Sequence, residues 1–458
     1  MILCTLVDGY IYDSNRLIFY NENLDPSDIE KIDKYINENS DSEKLKNKIE
    51  AHNADSVDVN LIGLSRVGIC LTNGCNLRCN YCGDNASDEN TASLELDDIL
   101  FFVTDVMKRW KIRKLTTKKE DPLDIYFTGG GEPSYKWELF EQTVLMVKRK
   151  CDENHIPLSL GITTNGMLTE YQRDFIAEHF NKIMLSFDGL PKIQNKNRHS
   201  KLYPDTSSVA EHTIESLVRK KVQFTIRTTI WQDDFCYMKN MAEYIFDKFG
   251  ESSFEWSILP VIPMGRALKR VRRDHEILKE GNFLEYYLDT LEYVKNTYGS
   301  RNISTPIFPN SLTSIYCGAL AYNCSCPWLL PNKTIVTCLE ACNSKTVIGR
   351  IEDNKIKYFD KCCDKLLKIY QEKFTECQNC IAYRFCRGGC PAKHLICQEE
   401  ESEMSDWECS MIQKYWTYIF SKILTGETCF GWKTKRVDID EIKRYNVLEL
   451  DRVDGNIR

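Results

Sequence analysis

The sequence predicts an α/β fold: a partial (β/α)6 barrel with an N-terminal α+β extension and a loop-rich, metal-organised C-terminal domain. Three observations point there. Six apolar strand candidates alternate with amphipathic helical stretches between residues 61 and 268, the pattern of parallel strands joined by crossover helices. Glycine-rich or polar motifs follow those strands directly. The 21 cysteines are bunched, three at 75–82 and twelve between Cys317 and Cys397.

Taken in order, residues 1–60 form the extension. Two short strands ("TLVDGYIYDS", "NRLIFYNEN") precede a helix ("DPSDIEKIDKYINE"). Asp25 or Ser27 suits its N-cap and Pro26 its first turn. A polar linker or exposed helix follows at 37–56. Residues 61–300 form the barrel. Its strand candidates are "RVGICLT" (66–72), "DIYFTGG" (124–130), "LSLGITTN" (158–165), "KIMLSFD" (182–188), "QFTIRTTI" (223–230) and "FEWSILPVI" (254–262). Helical stretches lie at 136–150, 168–180, 208–220, 236–249 and 275–300. Six units suit an open barrel rather than a closed one of eight, with its chemistry at the C-terminal strand ends. In residues 301–425 apolar periodicity fades and cysteines dominate, so that segment needs a metal framework to fold. An amphipathic helix closes it at 410–425, and 426–458 reads as a charged tail. No internal repeat recurs at a fixed period.

Composition narrows the function. With 458 residues, 42% hydrophobic and 28% charged, the chain is an ordinary globular protein of two to four structural units. A net charge of −7 argues against a general nucleic-acid or acidic-membrane binder. The basic run "RALKRVRR" (266–273) reads as a solvated helix face or a loop beside a ligand. No secretory signal and no membrane-length apolar run is visible, so the expected compartment is the cytoplasm. In that reducing setting the cysteines read as metal ligands rather than disulfides.

The stretch "CNLRCNYC" carries Cys75, Cys79 and Cys82, spaced C-x3-C-x2-C after the first barrel strand. Half a zinc site is the bland reading. Three sulfurs at this spacing also wrap three corners of an iron–sulfur cubane, leaving one iron open to a non-protein ligand. "FTGGGEP" (127–133) follows the second strand, where glycines let backbone approach a ligand and Glu132 can accept from a cation. "TTNG" (163–166), "SFDG" (186–189) and "PVIPMGRA" (260–267) end the third, fourth and sixth.

These motifs together resemble the radical S-adenosylmethionine (SAM) enzymes, whose signature is C-x3-C-aromatic-C on a partial six-stranded barrel; Tyr81 supplies the aromatic. The resemblance implies a 4Fe–4S cluster on Cys75, Cys79 and Cys82 whose fourth iron is chelated by SAM. Reduction then splits SAM to a 5′-deoxyadenosyl radical that abstracts hydrogen from an unreactive C–H bond. It also implies that Gly130, Gly131 and Glu132 receive the SAM amino group. Thr164 and Asn165 face the ribose and substrate side. Ser186, Asp188 and Arg198 serve the SAM methionine and ribose, and the 260–267 loop lies near the adenine.

"CQNCIAYRFCRGGC" places Cys377, Cys380, Cys386 and Cys390 at C-x2-C-x5-C-x3-C, and Cys409 follows. A zinc ribbon is the structural alternative, although five cysteines exceed one tetrahedral site. The pattern resembles the SPASM extension of radical SAM enzymes, which binds two auxiliary 4Fe–4S clusters. That resemblance puts Cys317, Cys324, Cys338 and Cys390 on the first and Cys377, Cys380, Cys386 and Cys409 on the second. Cys326 competes with Cys324, and Lys333 stands where the pattern has glycine, five residues before Cys338.

The implied activity is maturation of a ribosomally made precursor peptide, through a thioether bond from a cysteine sulfur to carbon. A reductant such as flavodoxin or ferredoxin would supply the electron. Carbon–carbon crosslinking, formylglycine formation on a sulfatase, and a non-enzymatic zinc-ribbon adaptor are the alternatives. Sulfatase maturases carry an aspartate base directly after the cysteine matching Cys338; this sequence reads "TCLEAC", with Leu339 there and Glu340 next. The oligomeric state is open.

Overall fold

The computed structural model describes residues 3–7, 10–13, 18–21, 27–28, 30–31, 34, 66–117, 121–250, 253–274, 282–308, 326–339, 346–359, 377, 380–386, 388–390, 393–394, 404–429, 432–436 and 448–452. The chain divides into two compact units. One comprises Met1–Asp58, Ile307–Cys317 and Leu367–Arg458, the other Val59–Pro306 and Gly318–Leu366.

The second unit holds the predicted barrel. Its six parallel strands are β4 (Arg66–Ile69), β5 (Leu123–Phe127), β6 (Leu158–Thr164), β7 (Lys182–Ser186), β8 (Phe224–Ile230) and β9 (Glu255–Pro260). They pair in sequence order, as a right-handed succession of βα units requires. The crossovers are α1 (Leu96–Thr117), α2 (Trp137–Glu153), α3 (Glu170–His179), the pair α4 (Pro191–Asn197) and α5 (Thr206–Arg219), and α6 (Met238–Phe249). Beyond β9 come α7 (Gly265–Asp274) and α8 (Asn282–Tyr298). Local signals set their ends: Thr169 and Gln172 form a reciprocal capping box on α3, and Asp205 caps α5 through the Ser208 amide. In β8 the burial alternates residue by residue, with Phe224, Ile226, Thr228 and Ile230 inside.

The sheet continues past the six expected strands at both edges. On one side β10 (Asn302–Ser304) pairs parallel with β9. On the other, β11 (Trp328–Leu329) pairs parallel with β4, and β12 (Thr334–Val336), β13 (Val347–Glu352) and β14 (Lys355–Tyr358) extend it antiparallel. Strands of two and three residues are too short to show alternation in a sequence. Gly68 makes the β4–β11 contact possible. A Cβ there would sit 1.6 Å from the Trp328 ring, so the bare strand surface seats the indole.

The first unit carries a five-stranded sheet ordered β1 (Leu3–Val7), β2 (Tyr10–Asp13), β3 (Ile18–Asn21), β16 (Leu448–Arg452) and β15 (Trp432–Arg436). The stretch read as one strand, "TLVDGYIYDS", is thus two. Val7 pairs with Tyr10, and the two residues of sequence between them are Asp-Gly, the dipeptide that favours tight hairpins. Part of the stretch read as a charged tail supplies β15 and β16. Helix α9 (Met404–Leu424) starts earlier than the sequence suggested and buries Trp407, Met411, Ile412, Tyr415, Trp416, Ile419, Phe420 and Ile423 on one stripe. Phe420 meets Tyr12 and Phe19 of the sheet at ring-centroid distances of 4.7 and 4.8 Å.

Candidate active site

Every barrel motif falls at the C-terminal strand ends. The cysteine loop leaves β4 and is tied to its neighbours through backbone as well as side chains. Glu132 donates its amide to the Gly74 carbonyl at 2.9 Å, and a Cβ on Gly131 would lie 2.0 Å from that same oxygen. Glycine is therefore obligatory where the β5 loop crosses the cysteine loop. On the other side the Arg78 amide donates to His199 O and the Asn80 amide to Asn197 O, both at 2.8 Å.

Glu132 is buried. Its Oε1 accepts from the Ser134 amide (3.1 Å), Ser134 Oγ (2.8 Å) and Thr164 Oγ1 (2.9 Å), and its Oε2 from the Asn165 amide (2.7 Å). No cationic side chain is among these partners. Burial pushes the Glu132 carboxyl above the usual range, and the hydrogen bonds only partly oppose it. The native state thus holds a proton that the unfolded chain releases at lower pH. Ligand-free protein is expected to lose stability as pH rises from the ordinary glutamate range through the raised value. Urea melts at stepped pH should show that slope in the wild type and lose it in Glu132→Gln.

Asn165 reaches the cysteine loop directly. Its Nδ2 donates to Asn76 Oδ1 at 2.8 Å and lies 3.7 Å from Cys75 Sγ. Cys75 also receives the Leu77 amide at 3.4 Å. Burial, then Glu132, pushes the Cys75 thiol well up. The Cys79 thiol is pushed up to about 11, by burial first, while Arg198 and Arg266 pull it down. Ser186 ends β7. Asp188 and Arg198 form a buried ion pair, with Arg198 Nε 2.9 Å from Asp188 Oδ1. Asp188 also accepts from the Tyr81 hydroxyl and the Thr229 amide. Burial works against the charged guanidinium, and Asp188 beside it more than offsets that, so Arg198 stays protonated.

The three thiols suit an iron–sulfur cluster and the surroundings suit a charged ligand on it. Glu132 offers a buried carboxylate without a cation. On α4, Gln194 Nε2 and Asn197 Nδ2 and Oδ1 are buried without a hydrogen-bond partner, a costly state unless a polar ligand meets them. Among the described residues, no three His, Cys, Asp or Glu side chains are already gathered as a ready site for a single metal ion.

In the first unit a second thiol group forms. Cys386 is pushed well up, by burial first and then by Cys409, Cys380 and Cys377 around it. Their convergence follows from packing. Phe385 stacks on Trp416 of α9, which brings the loop to the helix that bears Cys409. Amide-type N–H groups already point at two of these sulfurs, Ala382 N at Cys380 and Gln413 Nε2 at Cys409, each 3.4 Å away. Gly388 and Gly389 take left-handed φ of 87° and 78°. Cys390 belongs to this same unit.

Cys317 and Cys324 lie outside the described residues. Cys338 follows β12. The β11–β12 register pairs Trp328 with Val336 and Leu329 with Ile335; carried two residues further, it sets Cys326 opposite Cys338. Lys333, in the expected glycine position, has a left-handed φ of 65°. The turn there demands that conformation, which glycine adopts without strain, and Lys333 Nζ pairs with Asp98 Oδ1 at 3.0 Å. Leu339 packs at the end of β5, its Cδ1 2.8 Å from where a Gly129 Cβ would stand, a point Cys70 Sγ approaches to 3.2 Å.

Sequence reasoning missed Gln194 and Asn197, whose types carry no motif. Arg266 stood out only as part of the basic run 266–273 and the 260–267 segment.

Residues 69–244, which carry the cysteine loop and most of the barrel, match the sequence model of the Radical SAM superfamily. The chain is also related to the cysteine-type anaerobic sulfatase-maturating enzyme of Clostridium perfringens, 21% identical over 369 residues, which cover 77% of this chain and 95% of that one. Among solved structures it is similar to native anSMEcpe with bound AdoMet and Cp18Cys peptide, with a TM-score of 0.57 and 20% identity over 79% of this chain and 98% of that one. It is similar too to Streptococcus suis SuiB bound to precursor peptide SuiA, with a TM-score of 0.50 and 15% identity over 82% and 79%. Among the described residues no helix is long and apolar enough to cross a membrane.

Proposed function

We propose that this chain is a radical SAM maturase acting on a ribosomally synthesised precursor peptide, and that it closes a thioether from a cysteine sulfur to a carbon. The observation that carries the choice of bond is Leu339. An apolar side chain packs on Gly129 at the barrel end, where the resembling sulfatase maturases have an aspartate base. When bound on Cys75, Cys79 and Cys82, a 4Fe–4S cluster with SAM supplies a 5′-deoxyadenosyl radical.

The chain's own residues hold and shield that site. The three cysteines bind as thiolates, favoured at Cys79 by Arg198 and Arg266. Glu132 receives the ammonium of SAM, and Gly130 and Gly131 let backbone close on it. Thr164 and the Asn165 amide fix the Glu132 carboxylate. Ser186 and Arg198 face the methionine and ribose. Asp188 aims Arg198.

Two further 4Fe–4S clusters complete the reading. Cys377, Cys380, Cys386 and Cys409 hold one. Cys317, Cys338 and Cys390 hold the other with Cys324 or Cys326, and the ladder register supports Cys326. Per bond, one SAM is consumed and the carbon's hydrogen ends in 5′-deoxyadenosine. The thiol proton goes to solvent, and the initiating electron from a flavodoxin- or ferredoxin-type donor is recovered.

The test is anaerobic incubation of reduced protein, SAM and the short cysteine-containing peptide encoded beside this gene. The expected product is lighter by about two hydrogens and has one thiol fewer to alkylate. An unchanged peptide alongside 5′-deoxyadenosine would overturn it. Carbon–carbon crosslinking would show the same mass loss with every thiol still alkylatable. Formylglycine formation is the second reading, supported by the kinship with sulfatase-maturating enzymes; it would appear as an aldehyde on a sulfatase peptide. A zinc-ribbon protein would purify colourless, whereas three cubanes bring about twelve irons per chain.

A further inference from the structure

We infer that Arg266 is a positioning residue for the three-cysteine loop: from the end of the last barrel strand it fastens the loop that follows the first. Its guanidinium bridges two carbonyls seven residues apart. Nε donates to Cys79 O at 2.8 Å and Nη2 to Ala86 O at 2.9 Å. Its own amide donates to Cys82 O at 3.0 Å.

The preceding residue makes that approach possible. Gly265 has φ +52°, and a Cβ there would lie 2.3 Å from Gly83 O and 2.5 Å from Cys82 O. The following residue anchors it. Ala267 is fully buried with Tyr81, Trp231 and Val261, and Cys79 packs on that cluster. Three consecutive residues of the β9 exit thus grip the segment from Cys79 to Ala86.

That segment needs gripping. Within it only two weak backbone turns close, Cys82 N to Cys79 O at 3.2 Å and Asn85 N to Cys82 O at 3.4 Å. Ligands of a cluster must be held to about half an ångström, and carbonyls in a part-buried loop need donors. A planar fork spans two such acceptors at once, whereas an ammonium is a point donor. The guanidinium also sets positive charge beside the Cys79 ligand, which favours the more negative, reduced state of a bound cluster. Its neighbour Arg270 plays a different part, lying 4.1 Å over the Trp231 ring.

This inference rests on the radical SAM reading of the loop. The experiment compares full-length wild type, Arg266→Ala and Arg266→Lys, each reconstituted anaerobically, by iron content, thermal melting and EPR of the dithionite-reduced protein with and without SAM. A Cys75→Ala/Cys79→Ala/Cys82→Ala triple variant defines the signal of the remaining clusters. In Arg266→Ala the SAM-sensitive signal should fall about tenfold or more, the scale of losing two charge-assisted bonds. Arg266→Lys should recover part of it; the residual SAM-sensitive cluster of Arg266→Ala should have a more negative midpoint potential than wild type, and that of Arg266→Lys, which keeps the charge, should not. The triple variant's signal should persist in both. Wild-type SAM-sensitive intensity and iron in both variants would overturn the inference. If Arg266→Ala does not fold, Arg266→Lys decides: a reduced SAM-sensitive signal supports the staple and full intensity overturns it. A wild type lacking any SAM-sensitive signal would instead sink the radical SAM reading itself.

Discussion

Replacing Cys79 with alanine is expected to cut 5′-deoxyadenosine formation by at least about 10³-fold, or about 4 kcal/mol in the barrier. Cys79 is the middle cysteine of the loop, flanked by Arg198 and Arg266, the two guanidiniums that favour its thiolate. Among the described residues, the thiols closest in sequence outside the loop are engaged elsewhere or buried. Cys70, closest in sequence, spends its Sγ on Thr128 O at 3.0 Å, and Cys151 is buried on α2. HPLC quantitation of 5′-deoxyadenosine after dithionite reduction measures the loss. Cys236, exposed after β8, provides the control: its alanine variant should cleave SAM at the wild-type rate. Comparable cleavage by the Cys79 variant would remove the loop from the chemistry.

Asp188→Ala should cost about 3–5 kcal/mol of folding stability, because removing one partner leaves a buried charge uncompensated. Asp188 is fully buried, and the Arg198 side chain is 8% exposed. The same carboxylate also receives the Tyr81 hydroxyl and the Thr229 amide, so three elements lose an acceptor together. Asp188→Asn keeps the shape and should cost less, since the amide oxygen still accepts. Urea denaturation of the two variants gives the comparison; equal, small losses would show that Arg198 finds another partner. Asp188 touches the cysteine loop directly through the Tyr81 hydroxyl, so iron loading at Cys75, Cys79 and Cys82 should fall in step with stability.

Much of this was legible in the residues. The six barrel strands announce themselves because each is a run of apolar, β-branched or aromatic residues between helical stretches. The cysteine loop announces itself because ligand spacing is a local property. What stayed hidden was short, or depended on distant partners. The β11 strand is two residues long and exists because Gly68 leaves room for Trp328. The stretch from 426 looked like a tail because its strands make sense only beside Ile18 and Phe19. Arg266 sat in a basic run read as a solvated face or a loop beside a ligand, and no spacing rule distinguishes the arginine that turns toward the cysteine loop from the one that covers Trp231.

By itself the sequence pointed to the chemistry: three thiols at cluster spacing, just after a strand, ahead of four strand-end motifs in order. Those are local facts of residue type and separation. The tertiary structure decided which groups serve that chemistry at second hand. It left Glu132 buried without a cation, locked Asp188 onto Arg198 and Tyr81, drew Cys409 to Cys386 through Phe385 and Trp416, and set Leu339 at the barrel end. Each depends on side chains meeting across tens or hundreds of residues, where burial and close packing, rather than local propensity, choose the neighbours.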